Sequence, residues 1–409
     1  MVYIQQQGDV AIPGVACPSK WLLVTEALLT VDETRQFLTS LDWDFLDAST
    51  KHDIHTIHPY PARFIPQIPR QLLETLMPYS RAVVLDPFCG SGTTLVEAIA
   101  LGHNAVGVDL NPLACLIAEV KTTPVAAGLA DAAHHVTLSA QAAYDAGQLT
   151  IPSIPAIDHW FKVDVQRALA ALVESIQQEQ SYTFRQAMRV ALSSIIVRVS
   201  NQESNTRYAA ITKTVSGDDV FTYFRAAAVR ISRALHTYRG DLFAQWGTAA
   251  VLNKDILDLT ADDLPSPIDI VITSPPYPNA YEYWLYHKYR MYWLGMDPIE
   301  VRTREIGARP HYFRKNPQTA DDFERQIGSC FHLLAQVLRP TAPACFLVGH
   351  SIIHGQEIDN VALLKRAAEP HGFLVDQVIT RTIPKQRKAF NPKHGRIEQE
   401  YIMVFRLGT

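Results

Sequence analysis

The stretch VVLDPFCGSGTTLVEAIALGHNAVGVDLNP, Val83–Pro112, decides the fold. It opens on an apolar, β-branched run and turns through two glycines. A helix-period segment follows, and a second apolar run ends in an acid. Strand, turn, helix and strand within about 30 residues make the repeating unit of a parallel sheet. Gly90 and Gly92 permit a sharp turn and let backbone N–H groups approach a ligand. The following helix N-terminus favours negative charge at that point.

The ligand is not a phosphate chain. A phosphate-cradling loop carries GxxxxGK[ST], and this turn has no lysine. The dinucleotide pattern GxGxxG also fails, because Thr93, Thr94 and Leu95 follow Gly92. Asp86, at the end of the first strand, would repel pyrophosphate but accept from an amine. Asp109 ends the second strand, where an acid in a doubly wound fold holds ribose hydroxyls. An amine plus a ribose without phosphate describes S-adenosylmethionine.

The alternation continues outside this unit. Arg81–Asp86, Asn104–Asp109, Ile268–Thr273, Ala344–Gly349, Leu374–Thr380 and Tyr401–Phe405 read as strands. Thr93–Leu101, Leu113–Val120, Asp321–Leu338 and Asp359–Pro370 read as helices. This order predicts an α/β, Rossmann-like fold, a mostly parallel seven-stranded sheet with helices on both faces. Between about Thr122 and Gly247 the rhythm breaks into helix-period runs, such as Trp160–Ile176, Phe184–Val199 and Val220–Tyr238. Four regions follow: an N-terminal extension (1–50), a cofactor-binding half (51–121), a helical insertion (122–247) and a catalytic half (248–409).

Composition narrows the class. Of 409 residues, 47% are hydrophobic and 19% charged, as in an ordinary soluble globular protein. A net charge of −4 means that any nucleic-acid surface must be local. The five cysteines have no metal-ligand spacing, and their odd number argues against a disulfide framework. No metal is expected. No basic n-region precedes an apolar run at the N-terminus, and no apolar run is long enough for a bilayer, so a cytoplasmic location without membrane attachment is expected.

A second stretch, ITSPPYPNAYEYW (Ile272–Trp284), follows the strand-like run Ile268–Thr273. DPFCGSGTT resembles the cofactor motif of amino-methylating DNA methyltransferases. TSPPY resembles their catalytic motif, in the form most often seen in the cytosine-N4 subgroup; the adenine-N6 subgroup more often has Asp or Asn in place of Ser274. IHPYPARFIPQIPRQLL (Ile57–Leu73) is similar to the segment beside the methionine end of the cofactor. NKDIL (Asn253–Leu257) is similar to the acid that contacts its adenine. The resemblance covers roughly Ile57–Val120 and Leu252–Trp284. It implies a class I methyltransferase with S-adenosylmethionine held by Pro61, Phe64, Asp86, Pro87, Phe88, Gly90, Gly92, Thr93, Thr94, Asp109, Leu110, Asn111, Asp255 and Ile256.

The catalytic turn has a chemical logic. An exocyclic amino group is a weak nucleophile, because its lone pair is conjugated into the ring. Two acceptors that hold its hydrogens favour a pyramidal nitrogen. The Ser274 hydroxyl and the Pro275 carbonyl are the candidates, on a turn that Pro275 and Pro276 stiffen. Tyr277 offers a face for stacking the base, worth ~1–3 kcal/mol. The target must leave the duplex to be reached. Cytosine-C5 chemistry would need a cysteine nucleophile near this turn; Cys89 sits instead in the glycine turn, as a small packing residue.

For nucleic acid, Arg302, Arg304, Arg309, His311, Arg314 and Lys315 form one basic cluster. Lys385, Arg387, Lys388, Lys393, His394 and Arg396 form another, and both suit phosphates or a plain solvated loop. Asn201, Gln202, Asn205 and Arg207 suit base edges and equally a polar inter-helix loop. The expected activity is methyl transfer to N4 of a flipped-out cytosine in DNA. Adenine N6, guanine N2 of RNA, and a non-catalytic DNA-binding subunit are the alternatives. The sequence is compatible with a homodimer and with a cognate restriction nuclease, and specifies neither.

Overall fold

The computed structural model describes residues 30–46, 53–61, 64–78, 81–205, 207–239, 246–279, 282–353, 355–383 and 399–408. Contacts divide the chain into Met1–Leu41 and Asp42–Thr409. The first unit contains α1 (Val31–Ser40), whose start is fixed by a capping box between Thr30 and Glu33.

The second unit is built on seven strands: β1 (Val83–Asp86), β2 (Asn104–Asp109), β5 (Ala249–Asn253), β6 (Ile270–Thr273), β7 (Pro343–Gly349), β10 (Phe373–Thr382) and β11 (Gln399–Leu407). Their order across the sheet is β10-β11-β7-β6-β1-β2-β5. β11 runs antiparallel to both neighbours, and the remaining pairings are parallel. Strand order reverses beside β1, so the crevice past its carboxyl end is where such sheets bind ligands. This is the Rossmann-like, mostly parallel seven-stranded arrangement that the sequence predicts.

Helices α2 (Gln67–Leu76), α3 (Thr93–Ala100) and α4 (Pro112–Thr122) surround the first half of the sheet. Asn111 caps α4 by accepting from Leu113 N–H at 3.0 Å, and Pro112 starts the helix. Between β2 and β5 lie α5 (Leu129–Ala146), α6 (Ile157–Trp160), α7 (Val163–Gln177), α8 (Tyr182–Val199), the ribbon β3 (Gln202–Ser204)–β4 (Arg207–Ala210), and α9 (Gly217–Arg239). These helices share one core with α4 and with α10 (Tyr283–Trp293), which follows the Ser274–Tyr277 turn. Then come α11 (Pro298–Arg304), α12 (Arg309–Tyr312) and α13 (Ala320–Val337). A short ribbon, β8 (Ser351–Ile353)–β9 (Gln356–Ile358), precedes α14 (Asn360–Ala368). Helices α13 and α14 and the sheet form a second core.

The named strands and helices of the sheet all form, with ends shifted by a residue or a few. The edge strand β5 was not among the readings, because AAVLN is half-exposed and begins with two alanines, weak β-formers. Helix α5 and both ribbons also lay outside them.

Gly92 begins α3 at φ +79°, and an added Cβ would stand 2.7 Å from Ala118 Cβ on α4. Left-handed strain and overpacking together predict that Gly92→Ala loses about 2–4 kcal/mol of stability, read from urea unfolding.

Candidate active site

The carboxyl ends of β1 and β6 meet. Thr273, last residue of β6, donates its hydroxyl to Asp86 Oδ1 at 2.6 Å. Thr94 Oγ1, on α3, donates to the Ile272 carbonyl at 3.3 Å. The glycine turn and the Ser274–Tyr277 turn are thus tied through buried side chains. Residues of both line one cleft of about 930 Å³, including its solvent-filled mouth.

Asp86 is 3% exposed and also accepts from Phe88 N–H at 3.1 Å. Burial pushes its pKa up to about 6, against the pull of hydrogen bonds from Thr273, Thr94 and Phe88. Asp109 accepts from Gly90 N–H on one oxygen and Asn111 N–H on the other, each at 2.8 Å. It too is raised to about 6 by burial, opposed by those two bonds. Glu305 accepts from Tyr283 N–H at 2.9 Å and Trp284 N–H at 3.4 Å, and burial raises it to about 8. Asp255 accepts from Leu257 N–H and, at 2.9 Å, from Arg304 Nε. Arg304 also pairs with Asp258, and Lys254 with Asp263. The described cations on the cleft wall are therefore matched by acids, while Asp86, Asp109 and Glu305 line it without a cationic partner in these contacts. A cationic ligand lacking phosphate suits that balance.

Residues 21–120 match the family N6_N4_Mtase, described as DNA methylase. Type II methyltransferase M.MvaI of Kocuria varians is 26% identical over 63% of this chain and 59% of its own length. Type II methyltransferase M.BsoBI of Geobacillus stearothermophilus is 24% identical over 66% of this chain and 58% of its own. Type II methyltransferase M.MjaII of Methanocaldococcus jannaschii is 45% identical over 20% of this chain and 16% of its own. Over these stretches the chain is similar to amino-methylating DNA methyltransferases. Its matches span less than two thirds of the length of these curated relatives.

S-adenosylmethionine is the cofactor these likenesses imply, and the residues present fit it. Bound there, it would set its amine toward Asp86, its ribose toward Asp109 and its adenine toward Asp255 and Ile256, all on the cleft wall. Of the residues expected from sequence, Phe64, Asp86, Pro87, Phe88, Gly90 and Thr93 line the cleft, as do Asp109, Leu110, Asn111, Asp255, Ile256, Ser274 and Pro276. Pro61, Gly92, Thr94 and Pro275 are buried behind it, in supporting positions. Tyr60, Tyr283, Val301, Arg304, Glu305 and Ile306 line it without having been singled out for the cofactor. Tyr60 stacks on Tyr283 at 5.7 Å between centroids and on His287 at 4.9 Å. Its ring lies over Gly90, 3.6 Å from where a Cβ would stand.

Tyr277 departs from the stacking role expected of it. Its ring packs on the sheet core, and its hydroxyl donates to the Leu347 carbonyl at 3.4 Å. It is not among the residues lining the cleft; Tyr283 is. The neighbouring strand β7 offers an apolar surface and an acceptor, and the ring takes both. Cys89 is buried with its Sγ 2.8 Å from where a Gly107 Cβ would stand, which agrees with a packing role.

The polar set on the insertion also serves local structure rather than an open base-reading surface. Asn201 donates to the His159 carbonyl at 3.0 Å, and Gln202 is buried with its amide on the Ser204 carbonyl at 2.8 Å. Asn205 accepts from the buried Arg290 of α10. Arg207 pairs with Glu203 at 3.0 Å, though its side chain stays largely exposed. The tight ribbon turn uses these groups to satisfy itself and dock on α10. Arg309, Arg314 and Lys315 are exposed, and Arg309 lies over the exposed Phe313 ring at 5.2 Å. Lys385, Arg387, Lys388, Lys393, His394 and Arg396 lie outside the described residues.

Asp86 must be ionised to hold an amine. Cofactor affinity is therefore expected to be level above about pH 7 and to fall as pH drops through 6, approaching about tenfold per pH unit for each acid that must ionise. A binding titration from about pH 5 to about pH 8 checks this, and a flat profile would count against the assignment.

Proposed function

We propose that the chain transfers methyl from S-adenosylmethionine to the exocyclic N4 amino group of cytosine in DNA, with the base turned out of the duplex. The observation that carries this reading is the Thr273–Asp86 hydrogen bond, which sets the catalytic turn directly beside the amine-binding acid. Bound cofactor supplies an activated methyl on sulfonium sulfur. The chain's own task is then orientation. Ser274 lines the cleft and offers an acceptor to the target amine, and Pro276 forms the wall next to it. The Pro275 carbonyl is the second acceptor in this reading. Asp86 and Asp109 hold the donor's amine and ribose, and Tyr283 with Tyr60 forms the aromatic wall over the glycine turn.

Phosphate contacts fall to Arg309, Arg314 and Lys315, exposed on the segment just beyond the cleft wall. The helical insertion is the proposed target-recognition region, through surfaces other than its docked ribbon. No helix among the described residues is long and apolar enough to cross a membrane. The serine of the catalytic turn favours cytosine over adenine. Incubation with isotopically labelled cofactor and duplex DNA, followed by nucleoside mass spectrometry, is expected to place label in N4-methylcytosine. Label confined to N6-methyladenine would overturn the base, and label in RNA alone would overturn the substrate.

A further inference from the structure

The tetrapeptide Arg304–Gly307, which runs from the last residue of α11 toward α12, touches three parts of the site at once. Arg304 donates from Nε to Asp255, the acid at the adenine end, at 2.9 Å and also pairs with Asp258. Glu305 holds the N–H groups of Tyr283 and Trp284 at the start of α10, donors that a helix leaves without internal partners. Ile306 lines the cleft. Gly307 accepts from Asn279 N–H at 2.8 Å, just past the catalytic turn. It sits at φ +74°, and an added Cβ would stand 2.8 Å from the Tyr277 carbonyl oxygen. Only glycine lets this segment lie flat against the backbone of that turn. On sequence, Arg304 belonged to a basic cluster suited to phosphate; here it is bound to two acids.

We propose that Arg304–Gly307 is a positioning strap that ties occupancy of the adenine end of the cleft to the placement of the catalytic turn. The inference rests on the transfer reaction proposed above. Asp255 has lone pairs beyond those used by Leu257 and Arg304, so an adenine amine shares the carboxylate with the guanidinium. A planar guanidinium holding two acids has little rotational freedom. Fixing it fixes Glu305 and Gly307 in the same short run of chain. Those two residues hold the start of α10, with Tyr283, and the backbone around Tyr277 and Asn279.

Hydrogen exchange and kinetics on the full chain test this. S-adenosylhomocysteine is the probe, and Gly307→Ala and Arg304→Gln are the variants. In the wild type the probe is expected to slow exchange at the Asn279 amide. In Arg304→Gln at saturating probe, protection at the glycine turn should persist while that at Asn279 is lost. Gly307→Ala should lower kcat by about 10–100-fold with cofactor Kd changed less than about twofold, a split that general destabilisation would not give. Wild-type kcat in Gly307→Ala, or equal Asn279 protection in Arg304→Gln, overturns the strap. A wild type that shows the exchange response yet methylates no nucleic acid overturns the proposed reaction and supports the strap.

Discussion

Asp86→Ala is expected to raise the Kd for S-adenosylmethionine by about 10–100-fold, the loss of one hydrogen bond to a charged group, about 1.5–3 kcal/mol. Transfer should suffer more than binding. Asp86 Oδ1 receives both Thr273 and Phe88 N–H, so the carboxylate joins the glycine turn to the catalytic strand. Alanine leaves the Thr273 hydroxyl buried without that acceptor and frees the end of β6 to move. A shift of about 1 Å in a reacting group costs about 100-fold. Asp86→Asn separates the two effects, since an amide oxygen can still accept from Thr273 while the charge is gone. Calorimetry reads the affinity and single-turnover labelling reads the transfer. Wild-type affinity in Asp86→Ala would remove the amine from this acid.

Ser274→Ala should do the reverse: kcat down by about 100-fold, with cofactor affinity within about twofold of wild type. The magnitude follows from losing one preorganised polar group aimed at the reacting centre, about 2.7–4 kcal/mol in comparable sites. Ser274 lines the same cleft as Asp86 and Asp109 and directly follows Thr273, whose hydroxyl Asp86 accepts. Nothing in the glycine turn depends on its hydroxyl. If single-turnover transfer proceeds at the wild-type rate, the serine is not an acceptor for the amine, and the preference for cytosine loses its structural basis.

Where the sequence was readable, it was readable for local reasons. The glycine turn combines positive φ, a buried strand before it and a helix after it, all within Val83–Ala100. Asp109 sits at the end of a strand whose register with β1 follows from the short crossover. The SPPY turn announces itself by two prolines after an apolar run. Tyr277 was misjudged because an aromatic beside a catalytic turn can face either cleft or core, and its neighbour across the sheet, β7, lies about 70 residues further along the chain. The polar run Asn201–Arg207 suited base edges and an inter-helix loop equally; the partners of Asn201 and Asn205, His159 and Arg290, come from distant segments. Glu305 and Gly307 carried no local signal at all.

The sequence alone determined the unit β1–α3–β2, the acids at its two strand ends and the composition of the catalytic turn. Each of these depends on backbone preference and on periodicity, which act between near neighbours. Only the tertiary structure decided that Thr273 meets Asp86 across 187 positions, that Tyr283 rather than Tyr277 lines the cleft, and that Arg304 clamps an acid instead of awaiting a phosphate. Those outcomes depend on which surfaces strand order and helix packing bring together. A side chain's direction is settled by what it finds there.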